Sequence, residues 1–304
     1  MKYAHILLAM AAECWAMEPV KLAAIMAFLQ SQAEGIKFSA EEIEARIGGK
    51  PASAPAAQQA GAVAILPLRG AIANRMSMMA DISGGTSNEA LGQMFQQALR
   101  DDRVQSIVLD VDSPGGAVSG TEELSAMIHA ARGTKPIVAH VNALAASAAY
   151  WIASAADEMV ITPSGGVGSI GVYGVHDDVS AMLEKAGIKK TIIASSDPKV
   201  EGNPYNPLSD EARAEMQRRV NAQNDVFVAA VARNRNVSEA KVRADFGQGR
   251  VVEAPAAIRH GMADRTGSLD DVLKRFGLSQ YPQGSQGRSF ASQREKRALA
   301  LRTL

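Results

Sequence analysis

Short apolar strands alternating with helices predict an α/β fold with crossover connections. Ile107–Val111 and Ile137–Val141 are apolar runs of strand length. A segment with helical character follows each of them, Gly120–Arg132 after the first and Ser147–Ala155 after the second. The 304 residues suffice for one large domain with smaller extensions, and 47% hydrophobic with 21% charged residues is ordinary for a globular chain.

In chain order, residues 1–47 read as a helical N-terminal arm. Met1-Lys2 followed by Ala4–Met17 has the outline of a signal-peptide core, but Ala12, Glu13 and Cys14 interrupt it. Apolar residues also continue into Leu22–Leu29 past Pro19, so two short amphipathic helices are the expectation. Ser39-Ala-Glu-Glu42 resembles a capping box. Residues 48–62, rich in Gly, Pro, Ala and Gln, read as a linker.

The main domain, 63–276, opens with the strand Val63–Gly70 and the helix Asn88–Arg100. After the elements already named come strand Glu158–Ile161, helix Val179–Ala186 and strand Thr191–Ala194. A long helix from Ser209 to Asn234 starts with an acidic turn, and helices follow at Ser238–Phe246, Ala254–His260 and Ser268–Phe276. Residues 277–304 read as a flexible polar, basic tail.

Zero net charge gives no reason to expect nucleic acid or an acidic membrane as partner. No run approaches the ~20 apolar residues of a membrane span, which points to a soluble chain. A single cysteine, Cys14, excludes an internal disulfide framework and suits a reducing, cytoplasmic compartment.

The chemistry rests on two distant residues. Ser147 lies where an apolar strand gives way to a small-residue helix, so the N–H of Ala148 is free at the helix start. A serine there can be a nucleophile beside an oxyanion donor, or a plain helix cap. Asp112-Ser-Pro-Gly-Gly116 is a strand-to-loop turn whose glycines let backbone approach a ligand closely; an ordinary turn has the same composition. Asp110 and Asp112 alternate with Leu109 and Val111 at strand spacing, which argues against a metal site.

Lys199 sits in the turn-rich segment Ser195–Tyr205. A lysine serves as base only when its ammonium pKa falls from roughly 10.4 towards neutrality, which burial achieves. Pro198 and Val200 make partial burial of Lys199 an expectation, with an exposed loop lysine as the alternative. Ser169, in Gly168-Ser-Ile-Gly171, is placed to orient the amine or simply to close a turn.

Two rival motifs are weaker. Gly166-Val-Gly-Ser-Ile-Gly171 matches the dinucleotide G-x-G-x-x-G pattern, yet Val172-Tyr-Gly-Val175 follows where a helix is needed. His176 with Asp177 or Asp178 offers a Ser-His-Asp alternative for Ser147.

Together these segments resemble peptidase family S49, the signal peptide peptidase A-like serine proteases of the ClpP/crotonase superfamily. The match rests on Asp112–Gly116, Ala145–Tyr150, Thr162–Val172, the segment from Lys199 to Tyr205, and Gly249–Asp264. The segments Thr162–Val172 and Lys199–Tyr205 and the arm with Trp15-Ala-Met-Glu-Pro19 are particularly similar to the capsid assembly, or prohead, proteases of lambda-like phages.

The resemblance implies a ClpP/crotonase-like fold of stacked β-β-α units. It implies Ser147 as nucleophile, Lys199 as general base, Ser169 as the group orienting the lysine, and Gly116 and Ala148 N–H as oxyanion hole. Ala148-Ala149 departs from the Gly-Gly frequent in cellular relatives, implying a narrower pocket. No metal or other cofactor is implied. The implied partners are extended protein segments, capsid scaffold and portal proteins or the chain itself, together with further copies in a ring inside a host-cytoplasmic prohead. Cellular signal-peptide peptidases share this chemistry. A crotonase-type acyl-CoA enzyme would not need Lys199, and a scaffold protein would need neither half of the dyad.

Overall fold

The computed structural model describes residues 13–33, 58–75 and 85–278. Its centre is a parallel array of β3 (Val63–Arg69), β6 (Ser106–Ser113), β8 (Ile137–Ala146) and β9 (Glu158–Ile161). These strands are buried over most of their length, which is why they read as apolar runs without alternation. β2 (Gln58–Ala60), β10 (Gly166–Gly168), β11 (Val251–Glu253) and β12 (Arg265–Thr266) complete an eight-stranded sheet.

A second, small sheet runs in the order β1 (Trp15–Met17), β7 (Gly115–Ala117), β4 (Ile72–Ala73), β5 (Thr86–Ser87). A repeating unit emerges from the two sheets. A long strand of the large sheet is followed by a short strand of the small sheet and then by a helix. β3 and β4 lead to α2 (Asn88–Arg100), and β6 and β7 lead to α3 (Thr121–Ala130). This is the stacked β-β-α architecture expected.

The remaining helices are α1 (Pro19–Ala33), α4 (Ala148–Ala153), α5 (Ser180–Lys185), α6 (Asp210–Arg235), α7 (Glu239–Asp245), α8 (Ala254–His260) and α9 (Leu269–Arg275). Serine starts several of them. Ser87, Ser209, Ser238 and Ser268 each accept a bond from a backbone N–H of the first turn, and Ser268 with Asp271 forms a full capping box.

Three expectations need correction. Trp15–Met17 is a strand, because Pro19 starts the following helix and the three residues before it find ladder partners on β7. Gln58–Ala60, placed in the linker, pairs with β3. Thr191–Ala194 is not a strand: it has no sheet partner, and Ile193 is 95% exposed. The capping box at Ser39, most of the linker and the tail beyond residue 278 lie outside the described residues.

Candidate active site

The geometry around Ser147 begins with a bulge. Between β6 and β8 the register runs from Val111↔Val141 to Ser113↔Ala145, so β8 spends four residues where β6 spends two. The surplus residues Asn142 and Ala143 turn outward to solvent, while Ala145 and Ala146 return to the core. This places Ser113 and the glycine turn beside the end of β8.

Ser147 follows as a sharp junction. Its φ of 57° and ψ of −120° fall in a region that a residue with a Cβ seldom occupies. Its N–H donates to Gly168 O at 2.6 Å, and its carbonyl accepts from Trp151 N–H at 2.9 Å. The side chain makes no capping bond to α4, so the plain-cap reading fails. Ser147 is 1% exposed. Ala148 is the first residue of α4, leaving its N–H without an intrahelical partner.

The glycine turn closes against this junction. Ser113 Oγ donates to Gly70 O at 2.6 Å and accepts from Gly115 N–H at 3.2 Å. Gly115 has φ +96°; a Cβ there would stand 2.3 Å from Ala16 O and 2.9 Å from both Ala146 O and Ser147 Cβ. At Gly116 a Cβ would stand 1.9 Å from Ile72 O. Both positions therefore require glycine, one for conformation and space, the other for space alone.

The helix carrying the serine is held from behind. Trp151 stacks on Phe227 with ring centroids 4.3 Å apart, and its indole N–H donates to Glu122 at 2.9 Å. Arg132 donates to the carbonyls of Ser154, Ala155 and Ala156 at the end of α4 and to Asn234 O in α6. Tyr150, wholly buried, donates to Met262 O at 3.0 Å, and burial pushes its phenol well above the usual range. None of these anchors was legible in the sequence, although Trp151 and Tyr150 invited the question as the aromatic pair of a small-residue helix.

Gly115, next to Gly116 in the chain, thus borders Ser147 Cβ, Ala148 follows the serine directly, and Ser169 is one residue beyond the carbonyl that Ser147 N–H bonds. Lys199 is elsewhere in character. It occupies a short 3-10 turn, Asp197–Val200, and is exposed, so the partial burial expected from Pro198 and Val200 is absent in the single chain. Among the described residues no hydrogen bond or ion pair joins its ammonium to Ser147 or Ser169. His176 lines an open cavity of about 710 Å³ with Tyr173 and Asp178, and makes no bond to Ser147. Asp110 pairs with Arg69. Burial pushes the Asp112 carboxyl up, with the Arg69 guanidinium opposing it. The G-x-G-x-x-G match is β10 pairing with β8, with no helix after it.

Residues 129–279 match the sequence profile of peptidase family S49. The chain belongs to peptidase family S49. It is 33% identical over 244 residues to the head-tail preconnector protein GP5 of Enterobacteria phage P21, covering 80% of this chain and 48% of that protein. It is 34% identical over 223 residues to capsid assembly protease C of Escherichia phage lambda, covering 73% and 50%. Protease 4 of Salmonella typhi is 30% identical over 220 residues, covering 72% and 35%. The chain therefore spans about half the length of the two phage relatives. No helix among the described residues is long and apolar enough to cross a membrane.

Proposed function

We propose that this S49 family member is a serine endopeptidase acting through Ser147 and Lys199. The observation that carries the reading is the backbone of Ser147. A buried serine in a strained conformation, with no capping duty and beside two glycines no other residue can replace, is costly for a structural role. Strain of this kind at a strand-to-helix turn is a device for presenting a nucleophile.

In the proposed reaction, neutral Lys199 takes the Ser147 proton and the alkoxide attacks a peptide carbonyl. Gly116 and Ala148 N–H groups hold the oxyanion. The lysine returns the proton to the leaving amine, then activates the water that frees the acyl group. Ser169 orients the amine. An exposed lysine becomes a base only where water is excluded, so Lys199 works when substrate or a second copy of the chain covers it.

The exposed apolar side chains Met182, Ile188, Ile192 and Ile193 lie on the segment leading to Lys199 and suit such a cover. A ring of copies with the lysine segments inside meets both needs. Given the two phage relatives, the substrates proposed are capsid scaffold, portal protein or the chain itself during head maturation in the host cytoplasm.

The test is to express wild type, Ser147→Ala and Lys199→Ala and follow autocleavage by intact mass. Fragments in wild type that vanish in both variants support the dyad. The same fragments in all three refute it.

A further inference from the structure

The amide assigned to the oxyanion hole is already occupied, and its occupant is a piece of this chain. β1 runs antiparallel to β7 with Trp15↔Ala117, Ala16↔Gly116 and Met17↔Gly115 in register. Val118 N–H donates to Cys14 O at 3.1 Å and Glu18 N–H to Pro114 O at 3.2 Å. Hydrogen-bonded and non-bonded pairs alternate along an antiparallel ladder, so those two flanking bonds make Ala16/Gly116 a bonded pair. Gly116 N–H therefore faces the carbonyl of Ala16. The same carbonyl lies against the Gly115 position, which Ser147 Cβ also borders.

On its other side Trp15 exchanges two bonds with Tyr173, N–H to O at 2.9 Å and O to N–H at 3.0 Å. Trp15–Met17 is thus an extended peptide clamped between two backbone segments, with one carbonyl on the donor meant for a reacting carbonyl. A substrate strand added to β7 would need the same edge and the same bonds.

We propose that Trp15–Met17 stands in for substrate, and that a protein segment binds only when this strand has left. The inference rests on Gly116 being the oxyanion donor. Two features favour displacement over a permanent structural strand. β1 is the terminal strand of the small sheet and only three residues long. Its two large side chains, Trp15 and Met17, pack with Leu22, Ile25, Ala71 and Ala117 in a satellite cluster, and of β1 only the methyl group of Ala16 belongs to the main core, so departure of β1 with α1 uncovers little of that core. The arm then acts as a tethered competitor, and the apparent affinity for substrate falls by the fraction of molecules in which it is docked.

Binding is measured by fluorescence anisotropy with a fluorescein-labelled peptide of residues 13–20 carrying Cys14→Ser, so that the probe has no thiol to exchange with a disulfide. The protein is the full chain carrying Ser147→Ala, so that no peptide is consumed. Ala16→Pro removes the N–H that Ala16 gives to Gly116 O, and is expected to tighten binding about tenfold. Val118→Cys places a thiol opposite the native Cys14 at a bonded-pair spacing that a disulfide can bridge. Oxidation of that variant, verified by intact mass, is expected to weaken binding by at least about tenfold, and reduction to restore it. Equal binding by the oxidised and reduced forms overturns the inference, whatever Ala16→Pro does to folding.

Peptide hydrolysis by the corresponding chains that retain Ser147 is scored separately. Binding that responds as expected without hydrolysis in any form refutes the peptidase reading and keeps the arm's role. Hydrolysis that is indifferent to the disulfide does the opposite.

Discussion

The two halves of the proposed dyad live in contrasting surroundings. Ser147 is sunk between two sheets, its backbone fixed by Gly168 O and by the first turn of α4, and its helix stapled to α3 and α6. Lys199 rides on residues 187–199, every one of them exposed, with a single 3-10 turn for local order. The fold alone builds the nucleophile's half. The segment carrying Lys199 is bare in the single chain, and in the proposed mechanism substrate or a second copy supplies its missing wall.

Activity separates the two residues most from what their burial suggests. Ser147→Ala and Lys199→Ala should each lower peptide hydrolysis by at least about 10³-fold, yet only the serine lies in the core. Thermal unfolding of Lys199→Ala should match wild type. A Lys199→Ala enzyme of normal activity would remove the lysine from the mechanism.

Stability separates the regions next. Trp151→Ala deletes a buried indole, its stack on Phe227 and its bond to Glu122, and should cost about 3–5 kcal/mol in urea denaturation. Gly116→Ala forces a methyl into Ile72 O and should cost about 1–3 kcal/mol while reducing activity, as read by the same denaturation and a hydrolysis assay. On the base side, Ile193→Asp should change unfolding by less than about 0.5 kcal/mol. The same variant should shift self-association downward in sedimentation analysis. Unaltered association would place the contact elsewhere.

The smallest effect is acid sensitivity of the buried half. Burial holds the His140 imidazole below its ordinary value of 6.5. The unfolded chain therefore takes up a proton first as pH falls, so this contribution to stability is complete above about pH 6.5 and shrinks below it. His140→Leu should flatten the stability profile below about pH 6.5, leaving the slope from His129, which burial shifts the same way.

The elements with strong local signals came through with little change. Asn88–Arg100, Glu158–Ile161 and Ala254–His260 have the bounds their patterns indicate, because periodicity, capping and apolar runs are local properties. Thr191–Ala194 failed because a β-prone run becomes a strand only beside a partner. Gly166–Gly168 has no strand signal of its own, since two glycines look unlike a strand until Leu144–Ala146 lies alongside.

The α/β class, the serine at a strand-to-helix junction and the glycine turn upstream of it are legible in the linear chain. These depend on spacing and on what glycine, proline and small residues permit. That Ser147 is strained and not a cap, that Lys199 is bare, and that Trp15–Met17 pairs with Gly115–Ala117 emerge only in the packed fold. Each of those is a meeting of segments remote in the chain, settled by which backbone groups find partners after the sheets have closed, and no local pattern encodes it.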